Sequence, residues 1–323
     1  MSRETAFNAV LAVLLLVLPF VAQALGEPFY VTLATRIAVL ALAAVGLNLA
    51  LGLGGLVSFG HAAFFGIGGY AAGIMASHAM MMQPLAFGIP ATNSMLVVFV
   101  VAIVACALVA LLTGAISLRT SGVYFIMITL AFAQMIYYLA ISWPAYGGED
   151  GLSIALRNSI PGVNTVDPVT FFLVAYVTLA VALLLFWLFR ASRFGAALQA
   201  ARQNETRLAS VGIAPFRVRL TAYVISAAIT GVAGVLFANL NRFASPSMLS
   251  WQMSGELIVL IILGGTARLF GPVAGALLFV LFEFLLGGIT ERWQLFLGLI
   301  LLGVVLFARG GVIGLVAGKA RHG

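Results

Sequence analysis

Cysteine and lysine are almost absent: Cys106 and Lys319 are the single examples in 323 residues. One cysteine excludes a disulfide within the chain and leaves the redox compartment unread. His61, His78 and His322 lie far apart in sequence, which argues against a zinc cluster. Charge is the largest deficit. Charged residues make up 8% and hydrophobic residues 63%, with a mean hydropathy of +1.17. Soluble domains carry about 25% charged residues, so this chain cannot clothe a water-facing surface. The alternating strands of a membrane β-barrel are missing too.

Chemical motifs are equally scarce. The nearest approach to a phosphate-binding loop spans 313–320, where Ile313 stands in place of glycine and Ala320 in place of serine or threonine. The glycines 66, 68 and 69 echo a dinucleotide turn, but inside an apolar run. No nucleophile motif or acid/base pair is visible, so the expectation is no catalytic residue, no metal and no cofactor in this chain.

What remains is a series of apolar runs near the 20 residues that a transmembrane helix needs. About ten segments are read by length and hydropathy: 7–25, 29–51, 59–82, 94–116, 123–143, 169–189, 220–240, a short 255–263, 272–286 and 293–307. The first follows Arg3. Ala22-Gln23-Ala24 resembles a signal-peptidase site, but further spans follow, and an uncleaved first helix is expected. The fold class is therefore an all-α integral membrane protein with broken or re-entrant segments, forming one transmembrane domain over 1–323. Segment 144–168, rich in Gly, Pro and Asp, reads either as an external cap or docking surface or as a plain connection.

Between 190 and 219 lies the one long polar stretch, carrying Arg190, Arg193, Arg202, Arg207, Arg217 and Arg219 against the single acid Glu205. Positive charge collects in cytoplasmic loops. With the N-terminus inside and ten crossings, this stretch falls inside, together with Arg3, Arg119, Arg268, Arg309, Lys319 and Arg321. Arg36, Arg157, Arg242 and Arg292 then fall at or near the outer side. A helix is expected over 193–211, capped by Ser192 and stopped by Gly212 and Pro215. Leu198, Ala201, Leu208 and Val211 form an apolar stripe on it. Such a helix either lies on lipid or is gripped by a cytoplasmic protein.

Two regions break the helical pattern. The first, 51–73, is crowded with glycine, including Gly68, and holds Ser58 and His61 just after Asn48. The second, 263–275, contains Gly264, Gly265, Arg268 and Pro272 and reads as a helix-turn-helix. Glycines at Gly69/Gly73 and Gly271/Gly275 fit close helix packing. Irregular backbone at membrane depth is tolerated only beside protein or water, and paired broken segments point to a transport path. Of the acids, Glu256 is placed at the N-terminus of its helix, where the dipole favours it. Glu283 lies inside a span, with no basic partner evident in the sequence.

Three stretches carry a resemblance: LNLALGLGGLVSFGHAAFFGIGGYAAG (47–73), SRFGAALQAARQNETRLASVGI (192–213) and SGELIVLIILGGTARLFGPVAGA (254–276). Together they are similar to the LivM-type permeases of ATP-binding-cassette importers for branched-chain amino acids. One departure is Gln203-Asn204-Glu205, where many members carry acidic residues. The resemblance implies a permease in the bacterial inner membrane with both termini cytoplasmic. Its partners would be a second, LivH-like permease, two ATPase subunits holding ATP and Mg, a periplasmic substrate-binding protein and membrane lipid, without nucleic acid. The ATPase-coupling residues would be Gly195, Arg202, Asn204, Glu205, Arg207 and Gly212. The translocation path would include Asn48, Ser58, His61, Gly68, Gly264, Gly265, Glu256 and Glu283. Relatives of this kind also carry urea, amides or aromatic acids. The rival is a self-contained carrier or channel, which needs intramembrane ions of its own, with Glu283 the strongest candidate.

Overall fold

The computed structural model describes residues 3–84, 91–307 and 310–317. The basic residues Arg309, Lys319 and Arg321 lie outside them. Among the described residues the chain is almost wholly helical. The helices are α1 (Arg3–Ala24), α2 (Pro28–Asn48), α3 (His61–Met81), α4 (Met95–Ser117), α5 (Val123–Ile141), α6 (Pro168–Ala191), α7 (Arg193–Gln203), α8 (Glu205–Ser210), α9 (Pro215–Asn241), α10 (Trp251–Gly264), α11 (Gly271–Gly287), α12 (Trp293–Phe307) and α13 (Gly311–Ala317). Pro28, Pro168 and Pro215 each occupy the first position of a helix, where the missing N–H costs nothing. Asp167 caps α6, accepting from the Thr170 N–H at 2.8 Å and from its hydroxyl at 2.7 Å. These bonds hold the Asp167 carboxyl below the usual carboxylate range.

Each of the ten expected segments corresponds to one helix. Six helices are long and apolar enough to cross a membrane. Of the other four, α10, α11 and α12 are shorter apolar helices, and α3 carries the glycine-rich signature. Large side chains such as Leu112, Met135, Val177 and Leu302 point outward from α4, α5, α6 and α12. Apolar rings of this extent face lipid or another protein. The protein is a multi-pass, all-α membrane protein.

The centre of the bundle is α2, buried along nearly its whole length. It is enclosed by α1, α6, α9, α10 and α11, while α9 also packs on α3 and α4. A helix with no exposed side needs no polar face, and the run IAVLALAAVGL meets that condition. Small residues set the α3–α9 distance. A methyl added at Gly68 would collide with the Gly231 carbonyl, and one at Gly234 with the Phe65 carbonyl. The expected packing pair Gly69/Gly73 instead faces Met248 and the residues Leu152 and Ala244, and it is Gly68 that meets Gly231 of α9.

Opposite the arginine-rich stretch, the chain folds back on itself. Strand β1 (Leu152–Ser153) pairs antiparallel with β2 (Phe243–Ala244). Asn158 and Asn239 exchange hydrogen bonds of 2.8 and 2.9 Å. The Arg157 guanidinium donates to the Asn239 and Thr165 carbonyls, each at 3.2 Å, and lies over the Phe171 ring. Segment 144–167 is thus a built cap on the ends of α3 and α9 rather than a plain connection.

Gly234→Val should lower stability by about 1–3 kcal/mol, the usual cost of overpacking. Gly303→Val, with open space around it, should stay within about 0.5 kcal/mol. Thermal unfolding followed by a thiol-reactive dye checks both, because the lone thiol of Cys106 is buried.

Candidate transport and coupling site

The three signature stretches meet in space, and polar side chains hold them together. The first break begins where α2 passes into a π-helical stretch, Leu49–Leu53. Such turns leave the regular hydrogen-bond ladder and cluster at functional sites. Asn48 stands at this junction, fully buried. Its Oδ1 accepts from the Ala267 N–H and its Nδ2 donates to the Arg268 carbonyl, each at 3.1 Å. One amide therefore staples the first break to the second.

The second break is the turn between α10 and α11. Gly265 has φ +120° and Ala267 φ +61°. A left-handed alanine costs about 1–2 kcal/mol, and the Asn48 bond holds it in place. Arg268, which the charge rule counted with the inner basic residues, is buried. It donates to the Ile313 carbonyl at 3.4 Å and pairs with Glu4 at 3.7 Å.

The loop from Gly54 to Gly60 is satisfied from four sides. Ser254 of α10 donates to the Phe59 carbonyl at 2.6 Å and accepts from the Ala62 N–H at 2.8 Å, capping α3 from another helix. Thr129 of α5 accepts from the Phe59 N–H at 3.3 Å. Ser58 accepts from the Gly60 N–H at 3.1 Å and also bonds the Tyr223 hydroxyl of α9. His61 begins α3 and is fully buried, with Nε2 2.7 Å from Ser226 Oγ. Ser226 gives its own proton to the Gly46 carbonyl at 2.6 Å. That leaves its oxygen as acceptor, so His61 Nε2 donates to it. Side chains from α5, α9 and α10 thus close on the first break, whose irregular backbone lies beside protein.

The arginine-rich stretch is two helices, not the single one expected over 193–211. Ser192 caps α7, accepting from the Gly195 N–H at 3.2 Å. Asn204 then leaves helical geometry and caps α8, accepting from the Arg207 N–H at 2.9 Å. An Asx side chain that bonds forward starts a new helix rather than continuing the old one. Gly195 sits where an added methyl would strike the Phe189 carbonyl, and Gly212 ends α8 at φ +86°. Arg202 reaches back to donate to the Gly52 carbonyl at 2.7 Å, and its stem lies against Gly55. Glu205 pairs with Arg219 at the start of α9. Arg207 is exposed.

The two acids also move from their expected settings. Glu256 lies in the second turn of α10, which starts at Trp251 rather than Gly255, so no helix terminus supports it. Glu283 has a basic partner after all. Arg36 of α2 is 2.9 Å from its Oε2 and 3.0 Å from its Oε1. The partners are 247 residues apart, so no local pattern could have paired them. Serines 226 and 254 were missed as well, although isolated hydroxyls in apolar runs are a readable signal. Asn48, Ser58, His61, Gly68, Gly264 and Gly265 are buried, while Glu256 is partly buried.

A family model described as the branched-chain amino acid transport system permease component matches residues 29–307. The high-affinity branched-chain amino acid transport system permease protein LivM of Salmonella typhimurium is 27% identical over 311 residues, covering 88% of this chain and 69% of its own. LivM of Escherichia coli is 27% identical over 307 residues with the same coverage. The autoinducer 2 import system permease protein LsrC of Salmonella paratyphi B is 30% identical over 143 residues, 42% of this chain and 41% of its own. No solved structure matches significantly.

Asn48→Leu should strand the Ala267 N–H and the Arg268 carbonyl, at about 1–3 kcal/mol for each group left unpaired. The Cys106 unfolding assay should register that loss, and an unchanged midpoint would show that the staple holds nothing.

Proposed function

The chain belongs to the branched-chain amino acid transport system permease component family, and on that footing we propose that it forms half of the passage of an ATP-driven importer for branched-chain or related neutral amino acids. A second permease supplies the other half. Separate ATPase subunits, with ATP and Mg, drive the cycle, and a periplasmic binding protein delivers cargo. The helix pair α7–α8 faces the cytoplasm in the bacterial inner membrane, as do both termini.

One observation carries this reading. An exposed basic helix pair is joined through two side chains in series to both broken segments. Arg202 holds the Gly52 carbonyl. Four residues earlier, at the start of the same irregular turn, Asn48 holds Ala267 and Arg268. A push on α7 therefore acts on both breaks at once. Gly195 and Gly212 set the two ends of the moving unit, Asn204 hinges it, and Glu205 ties it to α9. Closure of the ATPases would shift this unit and open or shut the path beside Ser58, His61 and Gly68 and beside Gly264 and Gly265. The pairing of Glu283 with Arg36 weakens the carrier alternative, because it neutralises the one acid on which an ion-driven cycle would have relied.

In vesicles containing the whole complex, Arg202→Ala should cut leucine uptake about tenfold, the loss of one charge-assisted bond. ATP hydrolysis without substrate should persist. Glu205→Arg should also lower recovery of the ATPases on co-purification. Unimpaired coupled uptake in both variants would refute the role of α7–α8.

A further inference from the structure

At the end of the bundle away from α7–α8 there is a cavity of about 590 Å³ between α5 and the turn entering α10. That volume falls in the ~300–1,000 Å³ range of small-molecule sites. In a chain with so few polar residues its lining is distinctive: Gln134 and Tyr137 from α5, Glu149 from the cap, Ser245 and Ser247 from the turn, and Gln252 from α10. Glu149 is the one acidic side chain among them. Ser245 and Ser247 share a hydrogen bond of 2.8 Å, which uses one of their two hydroxyl protons and leaves the other to donate.

A second observation concerns one of these lining residues: Gln134 Nε2 is buried without a hydrogen-bond partner among the described residues. A buried donor left unpaired costs about 1–3 kcal/mol, so an empty site is a poor explanation for the arrangement. Helix α5 is also the least covered of the six long apolar helices, which leaves the cavity open along one side.

We propose that this cavity is a cargo-binding half-site that takes the zwitterionic head of a free aliphatic amino acid. Glu149 receives the ammonium group. Gln134 Nε2, the Tyr137 hydroxyl and the spare serine proton donate to the carboxylate. The rings of Tyr138 and Trp251, with Pro246, supply apolar wall for the side chain. The assignment rests on the importer reading above and adds to it the place and chemistry of recognition.

The test uses the intact complex in vesicles with radiolabelled L-leucine, and with 3-methylbutylamine and urea as competitors. Glu149→Gln, on an exposed turn, should raise the KM for leucine about tenfold, as should Gln134→Leu. Substrate-free ATP hydrolysis should be unchanged. The amine should compete in the wild type and lose that ability in Glu149→Gln, whereas urea should compete in neither. KM values within about twofold of wild type in both variants would overturn the half-site while leaving the importer intact. A wild-type complex that hydrolyses ATP but takes up no leucine would overturn the amino-acid reading, and the half-site with it.

Discussion

Hydrocarbon offers no hydrogen bonds, and this chain interrupts its apolar helices twice, after Asn48 and after Gly264. Everything else in the structure answers that difficulty. Each backbone group freed at a break costs several kcal/mol if left bare, so a partner must come from elsewhere in the bundle. Asn48, Ser254, Ser226 and Thr129 are those partners. They come from different helices, so satisfying the breaks also fixes how the helices sit. The glycine contacts between α3 and α9 serve the same end, because only close packing brings such short side chains within reach.

Stapling has a mechanical side. Side-chain bonds to irregular backbone are few and directional, and can be exchanged one for another, unlike the continuous ladder of a regular helix. The left-handed Ala267 sits under one of them and the π-helical turn of α2 under another. Bonds of this kind are the ones that the proposed gate would exchange. The Arg202 bond reaches the same turn from the polar end of the molecule.

Much of this was legible in the sequence, and the division follows physical range. Apolar length located ten segments that are each a helix, six of them long and apolar enough to cross a membrane among the described residues, because such runs depend on local composition alone. Caps at Ser192 and the stop at Gly212 were readable for the same reason. Asn204 was not read as a second cap, since its side chain competes with a helix that the flanking alanines favour. The Arg36–Glu283 pair, the Gly68–Gly231 contact and the span from Asn48 to Ala267 depend on tertiary placement. A single sequence records the residues in those pairs but not their pairing. The polar cavity beside Gln134 belongs to the same class, because its lining is drawn from three separate stretches.

The enclosure of α2 bears on how the protein is made. Ser226, which bonds the Gly46 carbonyl of α2, is 180 residues downstream, and α10 and α11 follow later still. The ribosome therefore delivers the central helix long before most of its walls exist. During that interval α2 rests in lipid with Arg36 and Asn48 uncompensated. Both residues find their partners only once the turn at Ala267 and Glu283 of α11 have been made, so a chain cut short before α11 lacks the Arg36 partner, and one cut short before that turn lacks both.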